Sequence, residues 1–102
     1  MLMLNTRWGS YLLGNAVRID IFKQKEKTSW DVYLSVDSYK HLLHGFQSQR
    51  DASFFVDQMK GSLDRWMYAS TDMDFLSPDL DEACEAALHE TELSAGISEP
   101  HS

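Results

Sequence analysis

Cysteine is almost missing from this sequence: Cys84 is the one copy, so no disulfide can form within the chain. A small secreted domain ordinarily depends on several such staples, and their lack points to a reducing, cytoplasmic setting. No apolar run approaches the ~20 residues of a membrane-spanning helix, so no membrane contact is expected. Met1-Leu2-Met3-Leu4 is too short for a secretory apolar segment and has no basic residue ahead of it. Glycine-rich phosphate loops and glycine-framed serine elbows are absent too, which removes two common signatures of nucleotide binding and hydrolysis.

The most telling gap is in one charge sign. Residues 66–102 hold nine Asp and Glu and no Lys or Arg, whereas all nine Lys and Arg lie in residues 1–65. The net charge of −7 is therefore concentrated at one end of the chain. Such asymmetry predicts an acidic surface offered to a basic partner, or one laid against the protein's own basic half.

Periodicity supplies the elements. Val17, Ile19 and Ile21 alternate with Arg18, Asp20 and Phe22, the pattern of a half-buried strand. Trp30, Val32, Leu34 and Val36 repeat it, with Asp31, Tyr33 and Ser35 opposite. A polar loop, Lys23–Thr28, joins the two, and Asp37-Ser38 reads as a tight turn into a third strand, Tyr39–Phe46. That strand has apolar residues on both parities (Tyr39 and Leu43, Leu42 and Phe46), so its register stays open. Gly14-Asn15 suits a hairpin turn, with Trp8–Leu13 as an added edge strand.

Ser48 and Asp51 have capping-box spacing ahead of a stripe formed by Ala52, Phe55, Val56, Met59, Leu63, Trp66 and Met67. Ser77 and Pro78 suit the start of a second helix, whose apolar face would be Leu80, Ala83, Cys84, Ala87, Leu88 and Thr91, with Gly96 as its stop. Together these signals predict an α+β domain over residues 1–96. An antiparallel three- or four-stranded β-meander (about 8–47) packs against an amphipathic helix (about 49–68). An acidic linker (69–77), a second acidic helix (about 78–95) and a disordered tail (97–102) follow.

Chemistry is sparse. His41 and His44, three apart on a strand, should face opposite sides and cannot share a metal; Asp31 would lie across from His44. Cys84 sits between Glu82 and Glu85, which suppress a thiolate, so it reads as a small core residue. Asp72-Met73-Asp74 fails as a calcium loop: its fifth, sixth and twelfth positions are Leu76, Ser77 and Ala83. No catalytic residue, metal or cofactor is expected.

Three contact surfaces remain. The acidic strip Asp79, Asp81, Glu82, Glu85, Glu90 and Glu92 suits a protein partner with a basic surface, its carboxylates standing in for phosphates. Phe54, Gly61 and Tyr68, seven apart, form a groove that would take the small-residue ridge Ala83, Cys84, Ala87 or, left open, a partner. Arg18, Phe22 and Tyr33 on the sheet with Lys23, Lys25 and Lys27 in the loop would suit nucleic acid, subject to autoinhibition by the acidic helix. A homodimer paired through aromatics or a sheet edge is the further alternative to a monomer. In size, acidity and want of catalytic motifs the chain is similar to the small inhibitors that phages and mobile elements direct at host defence, anti-CRISPR proteins among them; the likeness is one of composition, not of motif.

Overall fold

The computed structural model describes residues 3–12, 16–26, 28–69 and 79–98. Its elements run β1 (Met3–Thr6), β2 (Gly9–Leu12), β3 (Val17–Lys23), β4 (Trp30–Val36), β5 (Tyr39–Phe46), α1 (Gln49–Ala69) and α2 (Leu80–Ser98). The class is α+β, with strands followed by helices.

β3, β4 and β5 form the expected antiparallel meander in that order. The Gln24 amide donates to the Ser29 carbonyl at 3.1 Å to close the first hairpin. Asp37 takes a φ of 55° in the second, a left-handed turn conformation that aspartate tolerates. The open register of β5 resolves into a β-bulge. Val32 pairs with His44 but Tyr33 pairs with Leu42, so Leu43 is the extra residue. The bulge explains the apolar residues on both parities. Leu42 lies opposite Tyr33 on one face, whereas Phe46 lies opposite Trp30 on the other. Two expectations fall with it: Asp31 pairs with Gly45, not His44, and both histidines register with core-side residues of β4, Leu34 and Val32.

The added edge strand is corrected too. Gly9–Leu12 pairs with Met3–Thr6 in a separate two-stranded sheet and does not extend the meander. The Trp8 amide donates to Thr6 Oγ1 at 3.1 Å, Thr6 Oγ1 donates to the Gly9 carbonyl at 2.8 Å, and Gly9 takes a φ of 140°. That local turn chemistry pairs β2 with β1; the Gly14-Asn15 turn lies outside the described residues.

The inner face of the meander supplies Ile19, Val32, Leu34 and Val36 to the core, and α1 covers them with Ala52, Phe55, Val56, Met59 and Leu63. Phe46 reaches the Phe55 ring at a centroid distance of 5.2 Å. Ser48 caps α1 as its spacing suggests, its Oγ accepting the Asp51 amide at 3.2 Å. Beyond α1, α2 packs on α1 and β1, burying Leu80, Cys84, Ala87 and Thr91. The cap of α2 is Asp79, whose Oδ1 accepts the Asp81 and Glu82 amides at 2.9 and 3.3 Å; Ser77 and Pro78 lie outside the described residues. Gly96 does not stop the helix, which continues to Ser98. Residues 70–77 of the linker and 99–102 of the tail also lie outside the described residues, while Ile97 and Ser98, expected in the tail, belong to α2.

Candidate functional surfaces

Docking of α2 sorts the acidic strip into engaged and free members. Asp79 is occupied by the cap, and Asp81 Oδ1 accepts from Arg7 Nε at 3.2 Å. Part of the acidic third therefore does lie on the chain's own basic half. Glu82, Glu85, Glu90 and Glu92 are exposed and have no cationic partner among the described residues. With α2 ending at Ser98, Glu90 and Glu92 stand clear of its last turn, where the helix dipole would disfavour carboxylates.

Cys84 belongs to the packing interface. Burial pushes its thiol up to about 11 from 9.0, the Asp81 carboxylate adds to the rise, and Arg7 opposes it. The ridge of small residues does meet α1, but not at the strip containing Gly61. A side chain added at Gly61 would meet nothing within 4 Å, whereas Ala83 and Ala87 floor a shallow cleft rimmed by Arg65 and Glu90. Phe54 is half-buried, and the Tyr68 side chain lies outside the described residues.

His41 joins the two sheets. Trp8 stacks on its ring at 4.4 Å, Tyr39 lies near-parallel at 6.4 Å, and the Tyr11 hydroxyl is 2.9 Å from Nε2. These contacts pin the β1–β2 hairpin onto β5, a structural use of aromatic area. His44 instead lies edge-on to Phe46. Among the described residues, no three His, Cys, Asp or Glu side chains gather in a metal-binding arrangement. No described helix is long and apolar enough to cross a membrane.

The outer face of the meander, turned away from α1, is where the nucleic-acid candidates separate. Strand pairing lays three rows across it: Arg18–Ser35–Lys40, Asp20–Tyr33–Leu42 and Phe22–Asp31–Gly45. Arg18, Phe22 and Tyr33 are therefore together, as their parity suggests. Lys23 is not with them; it registers with Trp30 on the inner side, its ammonium 5.3 Å from that ring. Lys25 is exposed in the loop, and Lys27 lies outside the described residues. Nor does α2 cover this face, since it packs on α1 and β1, so the autoinhibitory arrangement is not the one adopted.

Two members of this face escaped the sequence reading, Lys40 and Leu42, and Ser35 was placed on it without a role. Phe22 is 39% exposed and Leu42 50%, with Tyr33 between them in an edge contact to Phe22 at 5.5 Å. The Lys40 ammonium lies 4.6 Å from the Phe22 ring. Asp31 accepts from Gln24 Nε2 at 3.0 Å, and its other oxygen occupies the space above Gly45, 2.8 Å from where a side chain would begin. Ser35 is 5% exposed and its hydroxyl has no hydrogen-bond partner among the described residues. Burying such a group unpaired costs about 1–3 kcal/mol. Hydroxyl burial here was legible only once the register placed Arg18 and Lys40 on either side of it.

Fold and surfaces define a class: a small α+β protein with one sheet face covered by a helix, the other uncovered among the described residues, and an acid-faced second helix. No family model matches the chain, and neither does any curated protein or solved structure.

Proposed function

We propose that the chain is a non-catalytic interaction protein whose second helix presents carboxylates to a basic surface of a protein partner, as a mimic of nucleic acid. One observation carries this reading. α2 is anchored through Leu80, Cys84, Ala87 and Thr91, which leaves Glu82, Glu85, Glu90 and Glu92 exposed and without an ion pair among the described residues. Glu82 and Glu85 are three residues apart, and Glu85 and Glu92 seven, so these three span neighbouring lines along the outward side. A rigid row of that kind raises the local potential and speeds encounter with a cationic target. A reducing, cytoplasmic setting accords with the single buried thiol.

The test is the combined change Glu82→Gln, Glu85→Gln and Glu92→Gln. Removing like charges should leave the thermal midpoint unchanged or slightly raised. Association with a partner recovered by pull-down should slow, and its rate should lose most of its salt dependence. Unchanged association kinetics would make the helix face a solvated surface and nothing more.

A further inference from the structure

The outer sheet face holds a row that packing does not explain. Arg18 and Lys40 are the direct cross-strand neighbours of Ser35, and the buried Ser35 hydroxyl has no partner among the described residues. Lysine and arginine carry only donors, so this row presents donors from three adjacent strands and no carboxylate among them. A multi-oxygen anion can satisfy all three at once. The next two rows bring an apolar and aromatic surface, exposed Phe22 and Leu42 with half-buried Tyr33, about 7 to 13 Å along the strands from the donors.

We propose that this face binds single-stranded nucleic acid. A backbone phosphate is held by Ser35 Oγ, Arg18 and Lys40, and unpaired bases lie on Phe22, Tyr33 and Leu42. Lys40 now rests over the Phe22 ring; its flexible stem swings to the phosphate and uncovers the ring as a base arrives. Three strands at ~4.8 Å spacing give a platform about 10 Å wide, room for roughly two nucleotides. Duplex is the poorer fit, because its bases are stacked on one another and unavailable to the rings. Asp20 and Asp31 share the face and repel phosphate, which confines it to the Arg18–Ser35–Lys40 end. A purely apolar protein partner would leave Ser35 unpaired, and a second copy of the chain would bring the same donor row and another net charge of −7. The acidic helix, packed on α1 and β1, does not block the approach.

The experiment is fluorescence anisotropy of the full chain with a labelled oligodeoxythymidine of about ten nucleotides, within the span that single-strand platforms cover. One neutralised phosphate predicts affinity falling about two- to threefold between ~50 and ~200 mM salt. Phe22→Ala should lose roughly tenfold. The joint change Arg18→Gln and Lys40→Gln should flatten the salt response. Ser35→Ala separates binding from folding: affinity should drop while the melting temperature stays level or rises, since the unpaired hydroxyl is gone. No anisotropy change at the lowest salt overturns the proposal, and so does full affinity in the Arg18/Lys40 variant. A loss of stability in Ser35→Ala would make the hydroxyl structural and equally defeat it. Sedimentation showing a dimer that Leu42→Ser dissociates would assign the face to a second copy instead.

Discussion

The two faces of the β3–β4–β5 sheet are built from the same strands yet follow different rules. The inner face is aliphatic, with Ile19, Val32, Leu34 and Val36 sealed beneath α1. Its outer face mixes Arg18, Asp20, Phe22, Tyr33, Ser35, Lys40 and Leu42 and has no covering element among the described residues. An antiparallel sheet can remain folded with one face in water, so stability does not require the outer face to carry aromatic or apolar side chains. Phe22 and Leu42 are there in spite of that, and an unpartnered hydroxyl sits beside them. Where a fold keeps features that its stability does not need, contact with another molecule is the better explanation.

The sharpest way to break this contrast is a pair of truncations, one on each side. Phe55→Ala, which empties a fully buried site under the inner face, should cost about 3–5 kcal/mol in denaturant unfolding. Leu42→Ala on the outer face should change stability by no more than about 0.5 kcal/mol. Similar losses for both would mean that the outer cluster is a second core.

A subtler probe asks how dry the covered side is. Because the Cys84 thiol is raised to about 11 in the folded chain, the unfolded chain releases that proton first. Its contribution to stability is whole below pH 9 and is lost as pH climbs through the window to about 11. Cys84→Ala lacks this component, so the stability gap between parent and variant should shrink across that window. A gap that stays constant would show water reaching the thiol.

The smallest expected effect concerns the strap between hairpin and α2. Arg7 and Asp81 are 64% and 36% exposed at the side chain, and Arg7→Ala should cost less than about 1 kcal/mol, vanishing in high salt. A larger, salt-insensitive loss would give the β1–β2 hairpin a greater part in holding the covered side together.

Local signals account for much of this molecule. Ser48 and the three- and four-residue steps from Ala52 to Trp66 mark α1 without help from elsewhere, because cap and stripe both act within a few turns. Alternation in 17–22 and Trp30–Val36 likewise assigned inner and outer residues correctly, since a strand's period needs no knowledge of its neighbours, whereas Lys23 was taken for loop. β1 was not visible: four residues are too few to show a period, and its pairing is made by the Thr6–Gly9 turn. At Gly61 heptad spacing identified a line on the helix but not what packs there, and the small-residue ridge of α2 meets α1 elsewhere.

Residue pattern by itself therefore determined the class, the two helices, the charge division and the sides taken by Arg18, Phe22 and Tyr33. Tertiary structure decided the rest. The Leu43 bulge sent Leu42 outward and Phe46 inward, strand register set Lys40 beside Ser35, and docking of α2 divided its carboxylates into engaged and free. Those outcomes depend on which strand or helix lies opposite, a relation between distant segments that no local period encodes.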